Sequence, residues 1–208
     1  MSSTLRTLFV TQVREASLMD RKGYIALNAD LADACRMIAE EDRAGRAWCK
    51  EKGYRGYTSY ASLGDLPKRA TAFADLKRIL DREVADYAEQ LSLDLGGGKL
   101  KLDSLWINIL KPGGAHTGHI HPHSVVSGTV YVETPDGSGA LKMEDPRLAM
   151  MMAAPTRRAD ADEGQQSFVY LQPSVGTLYL WESWLRHEVT PNQGKGDRIS
   201  ISFNYSWS

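Results

Sequence analysis

Cysteine is scarce: Cys35 and Cys49 are the only two in 208 residues. Two thiols without a CxxC spacing exclude a disulfide framework, and they fit a reducing compartment in which both serve as small buried apolar residues. Net charge is lacking too. The 25 basic residues almost cancel 26 acidic ones, leaving −1, and they are scattered along the chain, so no electrostatic footprint for nucleic acid or an anionic membrane is present. No segment approaches the ~18 apolar residues that span a bilayer, and the opening MSSTLRTLFVTQVREASL carries no apolar run of signal-peptide length. The expectation is a cytoplasmic protein that acts on a small-molecule substrate, with no nucleic-acid or membrane partner. A homodimer is the default assembly.

The remaining composition, 42% hydrophobic and 25% charged, is that of an ordinary globular chain long enough to bury one full core. One domain over 1–208 is expected, with 1–98 as a strand and helical support layer and 99–208 as the core. Residues 5–12 (LRTLFVTQ) read as an opening strand. Asn28 or Asp30 can cap a helix that buries Leu31, Cys35 and Ile38 and runs to about Lys50. A second helix is marked by Phe73, Leu76, Ile79, Leu80, Val84, Tyr87 and Leu91 at spacings of three and four, and Gly96, Gly97 and Gly98 follow it.

From Lys99 the pattern changes to short β-prone runs, KLDSLWINIL, VVSGTVYVET, ALKMED, SFVYLQ, TLYLWES and RISISFNYSW, separated by turn residues. Such runs without intervening helices argue for an antiparallel sandwich or barrel. The fold expected is mainly β with N-terminal helices (α+β), a jelly-roll or cupin-like double-stranded β-helix flanked by about two helices. The stretch 145–166, with Met150, Met151, Met152 and Pro155, is too long for a hairpin turn and reads as a lid.

Histidine is concentrated. Four of the five, His116, His119, His121 and His123, fall within eight residues, and the fifth is His187. Strand alternation puts His119 and His121 on one face, half of a metal site, and His187 is the remaining histidine able to complete it from a distant strand. By the same alternation His123 can pair with His121 instead. Imidazoles without cysteine suit iron(II), zinc, copper, manganese or nickel, so the donors alone leave the metal open. Eleven residues after His187 comes Arg198. Alternation then places Arg198, Ser200, Ser202 and Asn204 on one face of a strand and Ile199, Ile201 and Phe203 on the other. A guanidinium and a hydroxyl two residues apart can grip a carboxylate. The plain alternative is a polar strand face turned to solvent.

The stretch from Trp106 to Trp207 resembles the 2-oxoglutarate and iron(II)-dependent dioxygenase superfamily. It is more closely similar to a small group of 2-oxoglutarate-Fe(II) oxygenases that share W-x-N, H-x-H-P, S-G-x-x-Y, G-x-L, S-W-L-x-H-x-V-x-P-N and R-I-S-I-S-F-N in order. Here these are Trp106 to Asn108, His119 to Pro122, Ser127 to Tyr131, Gly176 to Leu178, Ser183 to Asn192 and Arg198 to Asn204. The resemblance implies iron(II) held by His119 and His187, and 2-oxoglutarate anchored by Arg198 with help from Ser200. It also implies O2 as co-reactant and hydroxylation of a small molecule or amino-acid side chain. By the same resemblance Tyr131 reaches the cosubstrate carboxylate, and Asn108 and Asn204 are polar contacts near the metal.

One position departs from the superfamily. His121 stands where the acidic ligand belongs, so either three histidines hold the metal or a carboxylate such as Asp145 or Glu182 arrives from elsewhere. His116 and His123 are then outer or surface residues. Two alternatives remain at this point: a cupin-type three-histidine metalloenzyme that does not use 2-oxoglutarate, and a noncatalytic metal or small-molecule binding protein. Gly113, six residues before His119, suits the cupin pattern, whereas Val125 and Val126 stand where it needs a glutamate.

Overall fold

The β-prone runs after Lys99 form strands that pair antiparallel throughout. Four long ones, β3 (Leu100–Leu110), β5 (Val126–Glu133), β8 (Thr177–Glu182) and β10 (Arg198–Trp207), join β1 (Val13–Ser17) and β2 (Gly56–Thr58) in a six-stranded sheet of order β1-β8-β5-β10-β3-β2. A second sheet of order β4-β9-β6-β7 is built from β4 (His116–His119), β6 (Leu141–Glu144), β7 (Phe168–Leu171) and β9 (His187–Val189). This computed structural model describes residues 2–208. Met1, included in the domain range 1–208, lies outside the described residues.

Each strand of the larger sheet separates two environments. Ile199, Ile201, Phe203 and Tyr205 of β10 pack with Ile107, Val130 and Leu180 into a core shared with the helices. Tyr131, Tyr179 and Trp181 of the same sheet meet Leu141, Met143 and Val189 of the smaller one in a second core. The polar side of β10 is not turned to water. Arg198 is 1% exposed, Ser200 2% and Asn204 6%, so the solvent-facing alternative for that row is excluded, and these residues line the space between the sheets.

Four helices rather than two support the larger sheet: α1 (Tyr24–Glu41), α2 (Arg43–Glu51), α3 (Leu66–Arg69) and α4 (Thr71–Gln90). The expected single helix to Lys50 is broken at Asp42. The Asp42 carboxylate accepts hydrogen bonds from the Gly45 amide at 2.9 Å and the Tyr57 hydroxyl at 2.9 Å, which caps a new helix and ends the old one. Neither Asn28 nor Asp30 caps α1; the helix already starts at Tyr24, after Gly23 at φ 82°. The strand expected at 5–12 is not formed. Val13 to Ser17 occupy β8 from Trp181 to Thr177, so the preceding residues have no partner strand, and Leu5 and Phe9 are 96% and 93% exposed. Strand propensity without an edge to pair with gives no ladder.

Residues 145–166 form two 3-10 turns, Leu148–Met150 and Glu163–Gln165, and expose Met150 and Met152. They connect β6 to β7 in the smaller sheet.

One close approach controls the helix-side core. A Cβ added to Gly128 would collide with the Phe203 ring and come within 2.7 Å of Leu180 Cδ2. Gly128→Val should therefore cost roughly 1–3 kcal/mol of stability through overpacking, read as a lower urea midpoint. Adding Phe203→Leu should recover part of it. A Gly128→Val midpoint equal to wild type would contradict this packing.

Candidate metal and anion site

His119, His121 and His187 come together from three places: the end of β4, the loop just after it, and the start of β9. His119 opposes His187 across the ladder. The ligand atoms of the three lie within 4.8 Å of one another, and His121 Nε2 is 3.3 Å from His187 Nε2. The alternation argument for His121 fails in detail, because β4 ends at His119. Its convergence comes instead from the loop, whose His121 amide donates to the Ser183 carbonyl at 3.0 Å.

Two of the three rings are oriented by backbone carbonyls. His187 Nδ1 faces the Leu185 carbonyl at 2.8 Å and His119 Nδ1 the Thr117 carbonyl at 2.7 Å. A proton on Nδ1 donated to each carbonyl leaves Nε2 as a free lone pair, the tautomer a metal requires. The Trp181 ring lies 4.7 Å from His187, edge to face, and walls the site. Burial pushes the His187 imidazole down to about 3 and that of His121 to about 4.

Among the described residues no carboxylate joins this group. Asp145 is engaged with Arg147, accepting from its Nη2 at 2.9 Å. Glu182 opposes Val126 at the end of β8. The two proposed substitutes for the missing acidic ligand are thus not gathered at the site, and the three-histidine alternative is the one the geometry assembles.

Behind the histidines lies a cavity of about 710 Å³ lined by Arg198, Ser200, Tyr131, Asn108 and Asn204, among others. Arg198 is the most notable of them. Its guanidinium Nη1 donates to Ser200 Oγ at 3.3 Å and its carbon stands 4.8 Å from the Tyr131 ring centre. It forms no ion pair among the described residues, and its Nε, the Tyr131 hydroxyl and the Trp181 Nε1 are all buried without a hydrogen-bond partner. Burying an uncompensated charge is costly, so this arrangement calls for an anion with several acceptor oxygens.

Asn108 accepts from Thr58 Oγ1 at 3.0 Å and donates to Ser202 Oγ at 3.1 Å. Asn204 accepts from Ser127 Oγ at 2.8 Å, and its Nδ2 lies 3.5 Å from His121 Nδ1. Asn204 therefore backs a ring of the triad, while Asn108 belongs to the cavity floor. His116 is not a surface residue. It lines the same cavity, its Nε2 2.6 Å from the Tyr54 hydroxyl, and burial together with the Arg198 charge pushes it down to about 3. His123 is exposed at φ 71° in the turn after the site. Tyr54 had no sequence signal, since it lies outside every motif and reaches the cavity from the loop after α2.

Residues 104–204 match the family described as "Putative 2OG-Fe(II) oxygenase". Over that stretch, just under half of its length, the chain is similar to the 2-oxoglutarate-Fe(II) oxygenases. No curated protein matches it significantly. Among solved structures it is similar to a prolyl-4-hydroxylase from Pseudomonas putida, at 18% identity and a TM-score of 0.61, covering 94% of this chain and 92% of that one. The epimerase SnoN of nogalamycin biosynthesis, described as non-heme and alpha-ketoglutarate dependent, aligns at 16% identity and a TM-score of 0.63 over 94% of this chain and 76% of its own. HygX from Streptomyces hygroscopicus, solved with nickel and 2-oxoglutarate bound, aligns at 15% identity and 0.60 over 95% and 82%. At these identities the likenesses establish the shared jelly-roll fold. The metal and cosubstrate of the family are iron(II) and 2-oxoglutarate, and three convergent imidazoles beside a buried, unpaired guanidinium suit both.

One buried and two half-buried histidines set an acid limit on the metal-free protein. His116, His121 and His187 all titrate below the ordinary value of 6.5. The unfolded chain therefore binds more protons than the fold once the pH drops below about 6.5, and stability present above that point is lost as the pH falls toward 4. Thermal melts of the apoprotein should decline from pH 7 to 5, and His116→Gln should flatten the slope. A melting temperature that holds level or rises would contradict the burial of these rings.

Proposed function

We propose that this protein is an iron(II)- and 2-oxoglutarate-dependent dioxygenase in which His119, His121 and His187 are the metal ligands and Arg198, Ser200 and Tyr131 clamp the distal carboxylate of 2-oxoglutarate. The observation that carries the reading is the buried Arg198 charge, unpaired by any described acidic residue and placed in the same cavity as the three imidazoles. Bound iron(II) supplies O2 activation, so that 2-oxoglutarate, O2 and R–H give succinate, CO2 and R–OH.

The protein's part is binding, orientation and exclusion of water. The Arg198 guanidinium and the Tyr131 hydroxyl offer charge-assisted and neutral donors to one carboxylate, which leaves the keto-acid end of the molecule toward the histidines. Trp181, packed against the His187 ring, gives that end of the cavity an apolar wall, which suits a site where an oxidant must not meet bulk water. Having three neutral imidazoles instead of two and a carboxylate leaves the metal site one charge more positive. A doubly anionic cosubstrate meets that charge well. The substrate is a small molecule or an amino-acid side chain.

The clamp has a sign that tests it. In metal-loaded protein, 2-oxoglutarate at a hundred times its Kd should stabilise the fold by about 2.7 kcal/mol, read as a raised melting temperature. Arg198→Met removes an unpaired buried charge, so the unliganded variant should melt at or above wild type while losing the 2-oxoglutarate shift. A destabilised variant that still shows the full shift would sink the assignment of Arg198.

A further inference from the structure

One carboxylate lines the mouth of the cavity. Asp103 is the only acidic residue among those lining it, and a fault in the β3–β10 ladder accounts for its position. Asn204 opposes Ser104 but Tyr205 opposes Leu102, so Asp103 is an extra residue with no partner across. Regular alternation would put it with Leu105, on the helix side. The bulge turns it toward the cavity instead, a known use of bulges beside functional sites.

The surroundings of Asp103 favour a particular ligand chemistry. It joins no ion pair among the described residues and is exposed. Its neighbour Ser104 accepts from Asn204 Nδ2 at 3.1 Å, and Asn204 in turn touches His121. Trp106, on the same wall, lies 5.8 Å from the His121 ring and meets Tyr60 edge to face at 5.2 Å. Tyr60 is 59% exposed, a large ring left open to the approach. A free carboxylate lining the same cavity as two aromatic rings offers a cation one charge-assisted contact and one ring face. At the far end Arg198 waits for an anion, so the cavity is polarised from mouth to depth.

We propose that the substrate of this site carries an amine or guanidinium group, held at the mouth by Asp103 and the Trp106–Tyr60 pair while an adjoining carbon faces the metal. The inference rests on the oxygenase reading for its meaning but not for its test. Benzylamine and benzyl alcohol have nearly the same shape and differ in charge at pH 7. Each is titrated, under nitrogen, into the iron(II)–2-oxoglutarate complex and into the metal-free protein, with tryptophan fluorescence as the signal.

Benzylamine should bind about tenfold more tightly than benzyl alcohol, the preference shrinking as salt is raised. Asp103→Asn should bring the two ligands to equal affinity, and Tyr60→Ala should weaken benzylamine several-fold. Equal binding of the two by wild type, no binding of benzylamine, or an unchanged preference in Asp103→Asn would each overturn the proposal. Should wild type show the benzylamine preference yet no 2-oxoglutarate-dependent melting shift, the cation subsite would stand and the oxygenase reading would fall.

Discussion

The interaction on which the site depends is one that the chain leaves unfinished: a guanidinium enclosed by protein with no acidic partner to neutralise it. Arg198 stands at the start of β10 opposite Leu110 of β3, its polar reach confined to Ser200 and the Tyr131 ring. A buried pair would have satisfied the charge internally and closed the cavity to ligands. An unpaired one keeps a standing demand for a carboxylate and is retained at a cost in stability. The neighbouring histidines make the complementary choice, remaining neutral through burial so that their lone pairs stay available.

Strand alternation makes this compatible with a stable fold. The same ten residues of β10 that present Arg198, Ser200, Ser202 and Asn204 to the cavity present Ile199, Ile201, Phe203 and Tyr205 to the helices. The helix-side core therefore carries the packing, which leaves the other face free to be polar. Gly128 shows how tight that packing is, since the Phe203 ring fills the volume a side chain would need. At the β1 edge of the larger sheet, Glu83 of α4 is buried against Arg14 of β1 at 2.6 Å and against Arg21, which ties that edge to its helical support.

What could be read in the sequence followed from local periodicity. The α4 stripe from Phe73 to Tyr87, the two faces of β10, and the clustering of histidine around His119 and His121 each depend on neighbours along the chain, and each is legible in the sequence alone. What was hidden depends on partners far away. Residues 5–12 have strand-like composition but no free edge, because β8 is already occupied by Val13 to Ser17. The break at Asp42 needs Tyr57 and Gly45 to hold it. His116 joins the cavity through Tyr54, which comes from a distant loop, and the reorientation of Asp103 exists only in the mismatch between two paired strands. The replacement of the acidic ligand by His121 was plain in the sequence, but whether a distant carboxylate took its place was a question of three-dimensional proximity.

The most direct measurement is the visible spectrum of the anaerobic iron(II) protein as 2-oxoglutarate is added. Bidentate chelation of ferrous iron by the keto acid gives a metal-to-ligand charge-transfer band, and this readout needs neither substrate nor turnover. A saturable band in wild type, absent in His187→Ala and shifted to much higher 2-oxoglutarate concentration in Arg198→Met, is the expected result. Iron bound tightly by the three histidines with no band at any 2-oxoglutarate concentration would contradict it, and would mean that the anion awaited by Arg198 is a different molecule.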